Sequence, residues 1–158
     1  MIRPVTSDDL PALKRVIDAN GLFPSEMLDG MTAAYLAGDE AGGLWLTDDD
    51  GGPVGVVYLS PERMTTGTWN MLLIAVHPDR QGRGRGTGLV RHVEQILTDR
   101  GQRILLVETS GLPEFEDTRR FYRTRGYQEE ARIREFYAAG EDKVIFRKAL
   151  GIGSEPTS

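Results

Sequence analysis

The spacing of apolar residues along the chain switches repeatedly between a helical and a strand period, which predicts alternating helices and strands. The first helix follows the polar run Thr6–Asp9, which is typical of a helix start. In total the pattern predicts four helices, at about residues 10–20, 25–37, 86–100 and 113–125. Shorter apolar or alternating runs predict seven strands, at residues 2–5, 44–47, 54–59, 68–76, 104–107, 127–137 and 143–150.

Two of these strands are expected at the centre of a sheet. Residues 71–76 are almost all apolar and residues 104–107 are apolar throughout, a pattern typical of parallel strands that are covered on both faces. The helix predicted between them makes a right-handed crossover natural. Residues 108–111 are then expected to leave the second strand at the sheet edge where ligands bind in open α/β sheets.

Length and composition indicate an ordinary globular chain. The 158 residues favour a single domain over residues 1–150, followed by a flexible tail at residues 151–158 that contains Gly, Ser, Pro and Thr. Apolar residues make up 39% and charged residues 27%, with no apolar run long enough for a membrane span and no secretory leader. We therefore expect a cytoplasmic protein that does not bind membranes.

Charge and residue usage exclude several kinds of site. The chain has no cysteine, so a disulfide, a cysteine nucleophile and thiolate metal ligands are excluded. Its net charge of −5 disfavours nucleic-acid binding and favours a cationic substrate. His77 and His92 are isolated from carboxylates at metal-ligand spacing, so no metal site is predicted. Asp48–Asp50 is interpreted as a solvated hairpin turn, since the alternate ligands and distal Glu of a calcium loop are missing.

A glycine-dense loop follows the strand that ends at Val76 and leads into the third helix. Glycines at alternate positions, Gly82, Gly84, Gly86 and Gly88, allow backbone N–H groups to converge on one point. The unpaired amides and the dipole of the next helix would add to an anion site there. The mononucleotide and dinucleotide glycine patterns both fail, because the required Lys and third glycine are absent at their positions.

Gln81-x-x-Gly84-x-Gly86 after an apolar strand resembles the pyrophosphate-binding motif of the GNAT superfamily of acyl-CoA-dependent N-acetyltransferases. A second stretch, Phe121–Tyr127, resembles that family's aromatic-Tyr signature, although Phe115 and Thr118 replace the Asn and Ala that the family often carries. The resemblance covers about residues 1–150. It implies an α/β fold with a central mixed sheet of six to seven strands, about four helices, and a splay between the fourth and fifth strands.

The resemblance also implies a set of site residues and acetyl-CoA as the acyl-donor cosubstrate. The coenzyme would contact the strand end, the loop and the fourth helix, through Ile74, Ala75, Val76, Gln81, Gly82, Arg83, Gly84, Arg85, Gly86, Thr87, Thr118, Phe121 and Tyr122. Tyr122 would donate a proton to the leaving thiolate, and a core tyrosine is its alternative. Glu108 is the candidate base, and a carboxylate that fixes a turn or pairs with an arginine is its alternative. For Arg83 and Arg85 the alternative to a phosphate contact is a solvated charge on the loop.

The resulting hypothesis is an acyltransferase that transfers an acetyl group from acetyl-CoA to a primary amine by direct attack in a ternary complex. The alternative is a non-catalytic acyl-CoA sensor that uses the same loop. The acceptor, a small molecule or a peptide, is left open, as is an acyl group longer than acetyl. The acidic residues Asp8, Asp9, Glu26 and Asp29 either attract a cationic acceptor or are capping and surface charges. A homodimer is possible.

Overall fold

Seven strands and four α-helices follow one another along residues 1–151, which are the residues that the computed structural model describes. The strands are β1 (Ile2–Pro4), β2 (Leu44–Asp49), β3 (Pro53–Pro61), β4 (Thr68–Val76), β5 (Ile104–Ser110), β6 (Gln128–Ala138) and β7 (Glu141–Ala149). The helices are α1 (Leu10–Asn20), α2 (Leu28–Leu36), α3 (Arg85–Asp99) and α4 (Glu116–Thr124). The tail predicted at residues 151–158 lies, apart from Gly151, outside the described residues.

The strands form one mixed sheet in the order β1-β2-β3-β4-β5-β7-β6. β4 and β5 are parallel, with Thr68–Met71 in register with Ile104–Val107. The pairs β1–β2, β2–β3, β5–β7 and β6–β7 are antiparallel. The predicted mixed sheet of six to seven strands with about four helices is therefore confirmed.

Strand β5 is longer than its apolar run predicts. Glu108, Thr109 and Ser110 continue the strand because they pair with Ile145, Val144 and Lys143 of β7. The expectation that the chain leaves the strand at Glu108 was wrong, since cross-strand hydrogen bonds extend the element beyond its hydrophobic segment. Glu108 consequently has its backbone held within the sheet.

The chain divides into two compact units, and the division falls within β4 and α3. The first unit comprises Met1–Pro61 and Leu72–Ile96. Its core packs residues of α1 and α2 with residues of the sheet: Val5, Leu13, Val16, Ile17, Leu28, Trp45, Val56 and Ala75. Trp45 and Tyr58 stack with ring centroids 4.3 Å apart. The periodic apolar face predicted for α1 is thus the face that it buries.

The second unit comprises Glu62–Met71 and the chain from Leu97 onward. Its buried side chains come from β5, α4, the turn after α4, and β7, and they include Leu105, Val107, Tyr122, Tyr127, Val144 and Phe146. Three aromatic rings meet there, because Tyr122 contacts Tyr127 at 5.6 Å and Phe146 at 5.9 Å between ring centroids. An aromatic cluster of this kind contributes both buried area and favourable edge-to-face geometry.

The apolar run at the end of β4 is not covered on both faces as expected. Leu72 is 51% exposed, whereas Met71, Ala75 and Val76 are buried.

None of the helices in the described part of the chain has the length and the apolar character that a membrane crossing requires.

Candidate functional site

The glycine loop of the first unit enters α3 through two residues with left-handed backbone conformations. Gly82 has φ +78° and Gly84 has φ +81°, values that L side chains rarely adopt. A Cβ atom at either glycine would meet no atom within 4 Å, so conformation rather than crowding requires glycine here. Gly84 O accepts the N–H of Gly88 at 2.9 Å and so closes the first turn of α3. The loop is exposed and ends at a helix N-terminus, which is a suitable place for an anion.

Gln81 fastens this loop to the end of β4 and to α1. Its Nε2 donates to Val76 O at 2.9 Å and to Asn20 Oδ1 at 3.3 Å. Asn20 Nδ2 also donates to Val76 O, at 3.1 Å, and to Val16 O at 2.9 Å. The side chains of Gln81 and Asn20 therefore both bind the carbonyl group of Val76, and this shared contact holds the loop in place. The sequence pattern predicted only that the first helix ends at about residue 20, so this contact was not foreseen.

Two arginines are bound to aspartates at the end of β2 and in the β2–β3 turn. The expectation that Asp48–Asp50 is a solvated turn was wrong for Asp48, which lies in β2 and is buried. Arg85 contacts Asp48 at 2.9 Å and Asp50 at 2.6 Å, while Arg80 contacts Asp50 at 2.7 Å. These partners, with the Arg80 hydrogen bond first, hold the pKa of the Asp50 carboxyl below its usual value. Arg83, by contrast, is exposed. The guanidinium of Arg85 thus braces the loop, and Arg83 is the candidate whose charge faces solvent.

The remaining first-unit candidates lie beside the loop. Ala75 and Val76 are buried and Ile74 is half-buried at the end of β4, while Gly86 and Thr87 lie in the first turn of α3. His77 is half-buried, and its Nδ1 accepts the N–H of Asp79 at 3.1 Å in the turn that follows. The structure thus brings the strand end, the loop and the start of α3 together within the first unit.

In the second unit, Tyr122 of α4 is almost entirely buried. It is 3% exposed and packs edge-on against Phe121 and Tyr127, with a tilted contact to Phe146. Burial raises the pKa of the Tyr122 phenol well above its usual value. The side chain is therefore a protonated hydroxyl throughout the physiological pH range. A hydroxyl that stays protonated is not available as a base.

The other α4 candidates differ in exposure. Thr118 is exposed, and Phe121 is half-buried with the Arg125 guanidinium 3.6 Å above its ring centroid. Arg119, which sequence analysis did not select, is 6% exposed. It donates to Ser110 O at 2.6 Å and Leu112 O at 3.0 Å, so it binds the carbonyl groups at the end of β5. The charge of Arg119 therefore positions the segment between β5 and α4.

Glu108 of β5 lies in a polar cluster rather than at an exposed strand end. Its Oε2 accepts from Asn70 Nδ2 at 2.9 Å, and its Oε1 lies 3.1 Å from Lys143 Nζ. Asn70 Nδ2 also donates to Glu62 Oε2 at 3.0 Å. Glu108 is 26% exposed, so solvent reaches a carboxylate whose orientation is held from two sides. The signal for Asn70 in the sequence was a polar residue between Trp69 and the apolar run that begins at Met71, and it was not used.

Tyr122 and Glu108 share the second unit but have different neighbours, aromatic for the phenol and polar for the carboxylate. A groove of about 850 Å³ lies on the β6–β7 hairpin and is lined by Arg132, Ile133, Arg134, Glu135, Gly140 and Asp142. It includes none of the candidate catalytic or coenzyme-binding residues. Among residues 1–151 no three His, Asp or Glu residues are arranged to hold a metal ion.

Comparisons with known proteins identify the family and the fold. A family model for the acetyltransferase (GNAT) domain matches residues 40–129. A Desulfovibrio desulfuricans protein assigned to the GNAT family has a similar structure, with a TM-score of 0.87 and 31% identity over 94% of this chain and 98% of that one. A sequence search of curated proteins finds no match.

Two more distant structures share the fold. The ribosomal-protein alanine N-acetyltransferase from Escherichia coli has a TM-score of 0.79 and 21% identity, covering 100% of this chain and 98% of that chain. A Salmonella typhimurium protein solved with its cofactor acetyl-CoA has a TM-score of 0.78 and 18% identity, covering 95% and 93%. At these identities the likeness concerns the fold alone.

Proposed function

The chain belongs to the GNAT family of acetyltransferases, and from this premise we propose that it transfers an acetyl group from acetyl-CoA to a primary amine by direct attack in a ternary complex. The observation that carries the proposal is the glycine loop. Gly82 and Gly84 adopt positive φ immediately before the N-terminus of α3, and Gln81 fixes the loop to Val76. This geometry suits a pyrophosphate, which is the anionic part of the coenzyme.

The loop fits the coenzyme on two further counts. The positions where Cβ atoms of Gly82 and Gly84 would stand are open, so a phosphate group has room against the backbone. The side chain of Arg83 is exposed and available for additional phosphate contacts. We propose that the backbone from Gln81 to Thr87 binds the pyrophosphate and that Ile74, Ala75 and Val76 bind the pantetheine arm. Thr118 and Phe121 would add contacts from α4.

For the chemical step we propose two roles in the second unit. The amine nitrogen bonds to the thioester carbonyl carbon, the carbon–sulfur bond breaks, and Tyr122 gives its proton to the departing sulfur. Glu108 accepts the proton that the amine loses and returns it to the Tyr122 phenolate through solvent. The raised pKa of Tyr122 keeps that hydroxyl protonated before the step. The exposure of Glu108 supports its exchange of protons with solvent.

The proposal is tested by measuring thiol release from acetyl-CoA with a panel of primary amines, together with calorimetric titration of the coenzyme. We expect coenzyme binding, and thiol release that depends on one class of amine. Amide formation is checked by mass spectrometry of the acceptor. Coenzyme binding without release for any amine would instead favour the sensor function, and absence of coenzyme binding would contradict both.

A further inference from the structure

Two of the four acidic residues considered near the N-terminal helices are paired with basic ones. Lys14 Nζ lies 2.8 Å from Asp29, and Arg3 lies 2.8 Å from Asp9. Each of these carboxylates is therefore balanced by a positive charge within the first unit. Neither offers an uncompensated charge to a cationic ligand, although sequence analysis left that role open for both.

Glu62 in the second unit differs from them. Its carboxylate accepts from Asn70 Nδ2 at 3.0 Å, and no Lys or Arg within the described residues forms an ion pair with it. Glu108 Oε2 accepts from the same nitrogen at 2.9 Å. The distance between the two carboxylate oxygens therefore cannot exceed the sum of the two hydrogen-bond lengths. Two carboxylates this close repel each other unless a cation compensates them.

Asn70 provides an independent indication of a ligand. The residue is 3% exposed, and its Oδ1 is buried without a hydrogen-bond partner among the described residues. The amide cannot be reversed to satisfy that oxygen, because both neighbours of Nδ2 are carboxylates and only the nitrogen can donate to them. Asn70 Oδ1 is therefore a buried acceptor with no protein donor among the described residues, and buried polar groups left in this way call for an explanation.

The charge around this amide is negative overall. Lys143 is the one cation in contact with Glu108 among residues 1–151, and its Nζ also lies 3.8 Å from the Phe136 ring centroid. Phe136 and Tyr137 form an edge-to-face pair and are 51% and 45% exposed. Burial, and then the charges of Glu108 and Glu141, raise the pKa of Tyr137. Lys143 is thus the one ammonium in contact with this group of carboxylates among the described residues, and accessible aromatic rings lie beside it, which favours a further cation.

We propose that Glu62 and Asn70 bind a second positive charge of the acceptor, so that the preferred substrate is a diamine or another amine with a cationic group a few bonds from the reacting nitrogen. This inference rests on the acetyltransferase function proposed above. Glu108, already held by Lys143, serves the reacting amine, and Glu62 supplies the charge that Lys143 leaves unbalanced. Binding of a non-reacting group in this way orients the reacting one.

The test uses three acceptors of equal length, 1,4-diaminobutane, 4-aminobutan-1-ol and 4-aminobutanoate, with wild-type protein and Glu62→Gln. We expect the diamine to have kcat/KM at least about tenfold above the amino alcohol, and the amino acid to be the poorest substrate. Glu62→Gln is expected to remove the preference for the diamine mainly by raising its KM, while values for the amino alcohol stay within about twofold. Glu130→Gln, which removes an exposed carboxylate elsewhere in the second unit, should keep the preference.

Equal use of the diamine and the amino alcohol by the wild type, or an unchanged preference in Glu62→Gln, would overturn the inference. If no amine releases thiol, the proposed acetyltransfer fails, and the site is decided by calorimetric titration of 1,4-diaminobutane into the protein with coenzyme A present. Diamine binding that weakens at least about tenfold in Glu62→Gln supports the site. Undetectable binding, or equal binding by both proteins, overturns it. Thermal melting of each variant verifies that it is folded.

Discussion

The hydroxyl of Tyr122 is attached to a ring that is enclosed by Phe121, Tyr127 and Phe146. Removing the ring would open a cavity in the second unit, whereas removing only the oxygen preserves this packing. Because burial raises the pKa of the phenol, the hydroxyl remains protonated at neutral pH. The ring of Tyr122 therefore serves packing and its hydroxyl oxygen serves the proposed chemistry, so removing that one atom separates the two roles.

Tyr122→Phe should lower the turnover number for acetyl transfer at least about tenfold, since general acid catalysis of this kind typically contributes 10²–10⁴-fold. The coenzyme dissociation constant, measured by calorimetry, should change little because the ring contacts are kept. Tyr58→Phe is a suitable control, since it removes a hydroxyl from a ring whose stacking on Trp45 is unaffected. A Tyr122→Phe enzyme with normal turnover would leave Tyr122 as a core residue only.

Arg85 and Arg83 illustrate how neighbouring residues of one loop differ in role. Arg85 is tied to Asp48 and Asp50, and these contacts raise the pKa of its guanidinium. Arg83 is exposed in the same loop. The two arginines were equal candidates in the sequence. The structure distinguishes them because Asp48 at the end of β2 and Asp50 in the following turn contact Arg85 and not Arg83.

At the scale of elements, the end of β4, the glycine loop and the start of α3 are held together as one local structure. The loop passes through two positive-φ glycines, and its ends are held by the Gln81 side chain and by the first turn of α3. Backbone amides arranged in this way bind an anion with little reorganisation. We therefore expect the conformation of the backbone to matter more for coenzyme binding than any one side chain.

Gly84→Ala should destabilise the protein by about 1–2 kcal/mol, because an L residue at φ +81° is strained. It should also weaken coenzyme binding, since relief of the strain rotates the loop amides. Gly88→Ala is the matched control, because Gly88 lies in α3 and its added Cβ would meet no atom within 4 Å. The control is expected to keep coenzyme affinity and to match or exceed wild-type stability. Calorimetry and urea unfolding measure both quantities, and equal effects of the two changes would contradict a conformational role for Gly84.

At the scale of the whole molecule, carboxylates with lowered pKa values make folding dependent on pH. Asp9 is the most buried of them, and it accepts hydrogen bonds from Arg3, whose two guanidinium nitrogens each lie 2.8 Å away, and from Thr6 N at 2.7 Å. The Arg3 hydrogen bond is the main reason that the pKa of Asp9 lies below its usual value. A carboxyl with a lowered folded-state pKa stabilises the fold above its unfolded pKa and loses that contribution as pH falls through the folded value.

The free energy of unfolding should therefore be highest near neutral pH and should fall below about pH 4, the unfolded pKa of Asp. Asp9→Asn should cost roughly 1–3 kcal/mol at pH 7, because it removes a charged acceptor of Arg3 and Thr6. The variant should also show a shallower fall in stability below pH 4. Urea unfolding from pH 3 to pH 7 measures both effects, with Asp117→Asn, an exposed carboxylate on α4, as the control. A variant with the same pH profile as the wild type would contradict the assignment to Asp9.

The sequence by itself determined the kinds of element and their order. Helix caps, apolar periods and turn residues act over a few neighbouring positions, so α1, α3, β4 and the glycine loop were predicted close to their observed bounds. The positive φ values of Gly82 and Gly84 follow from the same local chemistry. The GNAT motif was readable for this reason, since Gln81, Gly84 and Gly86 lie within one loop.

Only the tertiary structure decided which distant side chains meet. Gln81 binds Asn20 across 61 positions, Asn70 binds Glu108 across 38, and Arg85 binds Asp48 across 37. Cross-strand pairing with β7 also extends β5 beyond Val107, so Glu108 lies within the sheet. These contacts depend on strand register and on the side from which the chain returns. The spacing of neighbouring residues encodes neither the strand register nor the direction in which the chain returns, because both are set when separate elements pack.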